Sequence, residues 1–257
     1  MSDSLPSLSM AEHSGQDIEL DVRHRITRLD VGATVYFDKL MGIFSDVAHA
    51  GGFWSGGSPE QRTKLDCLLP ASDESGELVV RVRVSSLDPR MWQCWRHMVG
   101  RLRKFDINVD SVALTAPAVL IAKSQAIEFI DERNEETAYP LASPELQNVL
   151  RFEGGDAAKS RRCLVEMDRP LTAGEITQFE KWTQPWFAML EAAAFSCPIG
   201  APHEEECLSG VVSQFDETTI ELTVDRFRAS EQAWMVLGNM TAVWWRPRAR
   251  ALRFLVD

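Results

Sequence analysis

A strand–helix–strand pattern that occurs twice, 142 residues apart, constrains this chain more than any other feature. Leu78, Val80, Val82 and Val84 alternate with Glu77, Val79, Arg81 and Arg83, the period of a strand with one buried face. Asp88 and Pro89 follow, a cap and a first-turn proline whose missing N–H would be unpaired there in any case. Met91, Trp95, Met98 and Leu102 then form a helical stripe, before Val112 and Leu114 open another strand. In the second occurrence Ile220, Leu222 and Val224 alternate, Ser230 is placed to cap, and Ala233, Leu237, Met240 and Trp244 make the stripe; Phe254 and Val256 close it.

Each copy is the end of a longer series. Leu20 to Ile26 reads as a strand with Val22, His24 and Ile26 on one side. Asp30 can cap a helix striped by Ala33, Phe37, Leu40, Phe44 and Val47 that stops at Gly51-Gly52. A short strand at Leu65 to Leu69 and a turn at Ser72 to Gly76 complete the order strand, helix, strand, strand, helix, strand. Adding 142 carries Asp30 to Thr172, Phe37 to Phe179, Phe44 to Trp186, Val47 to Met189 and Phe53 to Phe195. In the first strand, however, Cys163, Val165 and Met167 fall one residue out of register with Val22, His24 and Ile26. The expected fold is therefore α+β: two tandem ferredoxin-like (βαββαβ) halves, antiparallel sheets with helices on one face, packed as a pseudo-repeat.

The expected boundaries are a flexible tail over 1–17, a first half over 18–116, an acidic connector over 117–160 and a second half over 161–257. In the connector, Val119 to Ile130 suits a helix or an extra edge strand, and Ser143-Pro144-Glu145 is expected to open a short helix through Phe152. With its own helical signals, such a connector should hold the halves as one body.

A net charge of −11 argues against a nucleic-acid partner, because displacing counterions from a polyanion needs clustered Lys and Arg. A basic partner is favoured instead. No apolar run is long enough for a membrane span, and Met1 to Gln16 lacks the basic start and apolar core of a signal peptide, so the expected location is the cytoplasm. Five widely spaced cysteines fit reduced thiols.

None of the spacings GxxxxGK[ST], GxSxG, HExxH, CxxC or GxGxxG occurs, which lowers the case for an enzyme. Gly51 to Gly57 could wrap an anion, yet it follows a helix and so lacks the positive dipole end; an exposed loop carrying Trp54 is the simpler reading. Cys197, His203 and Cys207 match no zinc spacing, and no cofactor or metal is expected. Most of the eight tryptophans lie on helical stripes and read as core, whereas Trp92, Trp234 and Trp245 lie off them and could anchor a partner. The outward sides of the two central strands differ: Arg81 and Arg83 in the first half, Glu221, Thr223 and Asp225 in the second.

In composition and organisation the chain resembles bacterial polymorphic-toxin and type VI secretion immunity proteins. That resemblance implies a non-enzymatic cytoplasmic protein that binds a cognate secreted toxin with a basic active-site cleft, a nuclease by charge complementarity, and occludes it. The candidate contact residues are Trp54, Asp131, Glu132, Glu135, Glu136, Glu204, Glu205, Glu206, Glu221 and Asp225. Two other readings stand beside it. One is a small-molecule-binding regulatory protein with paired ferredoxin-like domains. The other is an enzyme working through the Gly51 to Gly57 loop with Asp66 or His97 as acid or base.

Overall fold

A computed structural model of the chain describes residues 7–11, 18–26, 31–53, 65–67, 71–72, 78–84, 89–105, 107, 109–115, 127–129, 150–152, 160–195, 207, 209–248 and 251–257. It is a mixed α/β protein with two largely antiparallel sheets, one in each of two compact units. The first unit takes residues 1–49 and 63–138, the second 50–62 and 139–257.

In the first unit the elements are β1 (Ser7–Ala11), β2 (Ile18–Ile26), α1 (Val31–His49), β3 (Leu65–Cys67), β4 (Ala71–Ser72), β5 (Leu78–Val84), α2 (Pro89–Gly100), β6 (Val109–Thr115) and β7 (Ile127–Phe129). The strand order is β3-β5-β2-β6-β1-β7, with β4 also beside β5. Alternation decides the faces. Val22, His24, Leu78, Val80, Val82 and Val112 are buried on one side, while Arg25, Arg81 and Arg83 are exposed on the other. Both helices cover the buried side: the His24 ring lies edge-on to Phe37 of α1 at 4.8 Å and to Trp95 of α2 at 5.6 Å.

The second unit holds β8 (Leu150–Phe152), β9 (Arg161–Met167), α3 (Ala173–Glu191), β10 (Ser209–Gln214), β11 (Thr219–Asp225), α4 (Glu231–Trp245) and β12 (Ala251–Val256), with strand order β10-β11-β9-β12-β8. Cys163, Val165, Met167, Ile220, Leu222 and Val224 turn inward. The two helices are clasped by tryptophan N–H donors: Trp182 Nε1 gives to Met240 O at 2.9 Å and Trp186 Nε1 to Ala233 O at 2.7 Å. α4 is buried on every side, for all of Ala233 to Trp245 except Met235.

Sheet register explains the one-residue slip between the two copies. Val22 pairs with Val80 and Leu114, and Cys163 pairs with Leu222 and Val256, so these two positions are equivalent and the first strand repeats at 141 residues (Val22 to Cys163). From Phe37 to Phe179 onward the repeat is 142. The second copy thus carries one extra residue between its first strand and first helix, in the loop 168–172. That loop is tied down. Thr172 and Glu175 form a capping box, and Arg169 grips both Glu175 oxygens (2.6 and 3.2 Å) while donating to Arg248 O. Hydrogen bonding from Arg169, with help from Thr172, holds the Glu175 carboxyl down to about 2.

Both first helices are followed by a left-handed residue at the equivalent position. α3 closes with Ala193 N–H donating to Leu190 O and Ala194 N–H to Met189 O, with Ala193 left-handed at φ 52°. Its equivalent after α1 is Gly51, at φ 86°. A side chain at Gly51 would meet Val243 Cγ2 at 2.5 Å, so glycine there answers both the dihedral and the close approach.

Several expectations are corrected. Ser7–Ala11, inside the stretch expected as a tail, is a strand running parallel to β6. Leu150–Phe152 is a strand parallel to β12, not the end of a helix, because its three residues take an edge of the sheet. These two parallel pairs make the sheets mixed instead of purely antiparallel. Ile127–Phe129 takes the edge-strand alternative. Trp92, Trp234 and Trp245 are core residues at 0%, 0% and 3% exposure, because α2 and α4 are enclosed well beyond their main stripes. Ser230 is the N-cap of α4, but its hydroxyl makes no capping bond and approaches Gln232 Oε1 instead. Asp30 and Asp88, the other expected caps, lie outside the described residues.

Candidate functional site

The helix-free face of the second sheet gathers the described candidate residues. Pairing sets it out: Asp225 is opposite Ser209, Thr223 opposite Val211 and Arg162, and Glu221 opposite Ser213 and Leu164. With Ile220, Leu222 and Val224 turned inward, Glu221, Thr223 and Asp225 must point out, and each is half-buried.

Asp225 is held from two sides. Ser160 Oγ donates to its Oδ1 at 2.6 Å and Ser209 Oγ to its Oδ2 at 3.0 Å. The two hydroxyls, Ser160 foremost, lower its pKa below the ordinary aspartate value, so the carboxylate stays ionised and aimed. Glu221 sits beside Arg162, whose Nη1 is 3.7 Å from Glu221 Oε1 and whose Nη2 reaches Asp257 Oδ2 at 2.5 Å. Asp257 is pinned further by backbone bonds exchanged with Arg162. The face therefore mixes the carboxylates of Glu221, Asp225 and Asp257 with the Arg162 guanidinium, and strand pairing puts Glu166, Arg253 and Arg151 on the same side; at its β11 edge the Asp225 carboxylate is placed to accept hydrogen bonds from Lys or Arg.

Glu221 and Asp225 are not spaced as an acid–base pair. Glu221 and Asp225 are four residues apart on one strand, about 13 Å by strand rise, farther than two carboxylates flanking one scissile bond stand. The Cys163 thiol next to Arg162 faces the core, where burial first, and then the Asp257 charge, push its pKa well up.

The corresponding face of the first sheet is basic in its described side chains: Arg25, Arg81 and Arg83 are exposed and Arg23 half-buried. Backbone register sets Asp21 opposite Arg81 and both Glu19 and Asp66 opposite Arg83. The outward arginines of β5 thus stand in rows where each exposed one has an acidic register partner.

The remaining candidates are not brought to this face. Trp54, Asp131, Glu132, Glu135, Glu136, Glu204, Glu205 and Glu206 lie outside the described residues, as do Cys197 and His203. Gly51 and Gly52 are described, and the Gly52 carbonyl is occupied by Asn239 Nδ2 at 3.1 Å. His97 is half-buried on α2, and Asp66 lies on β3. Among the described residues no group of three or more His, Cys, Asp and Glu could hold a metal. Nor, among them, is any helix long and apolar enough to cross a membrane.

Sequence reasoning missed Ser160, Ser209, Arg162 and Asp257. Arg162 was within reach, since alternation from Cys163 puts it outward. The two serines had no signal, because they meet Asp225 only through pairing between residues 65 and 16 positions apart. No protein-family model matches the chain, and no curated protein matches it.

Proposed function

We propose that this chain is a non-enzymatic binding protein, most concretely an immunity protein of the cytoplasm that neutralises a cognate secreted toxin by covering a basic cleft. The observation that carries the reading is Asp225, an ionised carboxylate oriented by Ser160 and Ser209 on a sheet face without helices, with Glu221 farther along the same strand. A fixed charge costs little further ordering on binding and steers a cationic partner. We propose further that the two units are tandem ferredoxin-like halves. The orders β3-β5-β2-β6 and β10-β11-β9-β12, and the equivalence of Val22 with Cys163, support this, each half being extended by a parallel strand beyond its last one.

The test is co-expression with the toxin domain encoded beside the gene. Wild-type protein should restore growth and co-purify with the toxin. Asp225→Asn with Glu221→Gln should slow association several-fold at low salt, with the difference shrinking as salt is raised. Failure to restore growth would overturn the immunity reading; association that neither salt nor the double variant alters would overturn this face as the contact.

A further inference from the structure

β10 is, among the described residues, the longest edge strand of either sheet, six residues against two in the uncharged β4 and three in β3, β7 and β8. At β3, β7 and β8 the short outer strands each carry a charge, Asp66, Glu128 and Arg151, the usual device against edge-to-edge pairing. β10 is Ser-Gly-Val-Val-Ser-Gln: six residues, no charge and no proline. Among the described residues nothing pairs with its outer side. Val211 is 62% exposed there, and Phe215 just beyond is 55% exposed.

The phase of its hydrogen bonds is set by the hairpin. Phe215 N–H donates to Thr219 O at 2.9 Å, which makes 215 and 219 a hydrogen-bonded pair. Pairs alternate along an antiparallel ladder, so Ser213, Val211 and Ser209 bond to β11, while Gly210, Val212 and Gln214 turn their N–H and C=O groups outward.

We propose that β10 is a self-association edge, joining two copies of this chain into a continuous sheet about a two-fold axis through Val212. In that register every outward pair is satisfied: Val212 meets Val212 of the second copy, and Gly210 meets Gln214. Partners across the seam also keep to the same face, as a sheet requires, with Val211 against Ser213. A second copy is the occupant because the strand is self-complementary under this operation and brings no like charges together, although each chain carries −11. Gly210 contributes by lacking a side chain: a Cβ there would lie 1.7 Å from Phe187 Cε1, so the α3 ring reaches over the edge strand and would be covered by the partner's Gln214. This inference does not rest on the proposed toxin partner.

Sedimentation equilibrium of the full chain tests it. The wild type should show a concentration-dependent monomer–dimer equilibrium that tightens with added salt, as repulsion between acidic bodies is screened. Val211→Lys with Ser213→Lys puts like charges opposite each other at both crossings and should weaken the dimer about tenfold or more. Val211→Lys with Ser213→Glu puts opposite charges at both crossings and should restore it. Both pairs replace exposed side chains on the outer face, and circular dichroism checks that each variant stays folded. A wild type that remains monomeric at every concentration overturns the proposal; so does a dimer to which the two double variants are equivalent.

Discussion

The two units solve one packing problem with different chemistry. In the second, Val165 and Leu237 are plain hydrocarbon side chains, both buried. The equivalent positions of the first are His24 and Trp95, also fully buried, and there Trp95 Nε1 donates to His24 Nε2 at 2.8 Å. With Nε2 accepting, the proton of the neutral imidazole sits on Nδ1 and is given to Leu78 O at 3.1 Å. Around this difference the frame is shared: Phe44 faces Trp92 at 5.5 Å, and its counterpart Trp186 faces Trp234 at 5.2 Å. A polar pair can therefore replace an apolar one inside a common frame, provided each polar atom finds its partner.

That contrast can be broken most severely at Trp95. Trp95→Ala should cost about 3–5 kcal/mol and Leu237→Ala about 2–5 kcal/mol. Only the first also strands a buried acceptor, His24 Nε2. In a double-mutant cycle, His24→Val with Trp95→Leu, which imports the second unit's pair, should therefore cost at least about 1 kcal/mol less than the sum of the single changes. Additive costs in urea unfolding would show that the hydrogen bond contributes nothing.

The next largest effect is pH. Burial first of all lowers His24 to about 4, against the pull of its backbone hydrogen bonds, and protonation would turn Nε2 into a donor facing another donor. The folded pKa lies below the ordinary 6.5, so between these values the unfolded chain holds the extra proton. Stability should be complete above about pH 6.5 and fall by roughly 3 kcal/mol as pH drops toward 4. Hydrogen exchange of α2 amides across that range should show the slope, and His24→Val should flatten it. An unchanged slope in that variant would assign the loss to other groups.

The smallest test sharpens the helix ends. Ala193→Gly should stabilise by about 0.5–1 kcal/mol, relieving a left-handed alanine. Gly51→Ala should instead destabilise by about 1–3 kcal/mol, since it adds both the dihedral strain and the contact with Val243. Thermal melts of the two variants should move in opposite directions, and a shared direction would contradict the equivalence of the two positions.

Much of the frame was legible in the residues. The stripes of α1, α2, α3 and α4 and the inward positions Leu78, Val80 and Val82 of β5 and Ile220, Leu222 and Val224 of β11 follow from local periodicity, and these strand positions are buried where that periodicity puts them. β1 and β8 were not legible, because three to five residues of mild alternation become strands only when a long-range neighbour supplies the ladder. The candidate face was half legible: Glu221 and Asp225 follow from alternation, whereas the serines that fix Asp225 depend on pairing.

By itself, then, the sequence determined a doubled order of strands and helices, the buried side of each, and the acidic character of the outer side of β11. Those are properties of neighbours along the chain, set by side-chain period and backbone preference. Only the tertiary structure decided the rest. It placed the extra residue of the second copy in the loop 168–172, put His24 against Trp95, set acidic residues opposite Arg81 and Arg83, and left β10 as an uncharged edge. Each of these depends on which distant segments share a hydrogen-bond ladder or a core, and no local pattern encodes a partner tens of residues away.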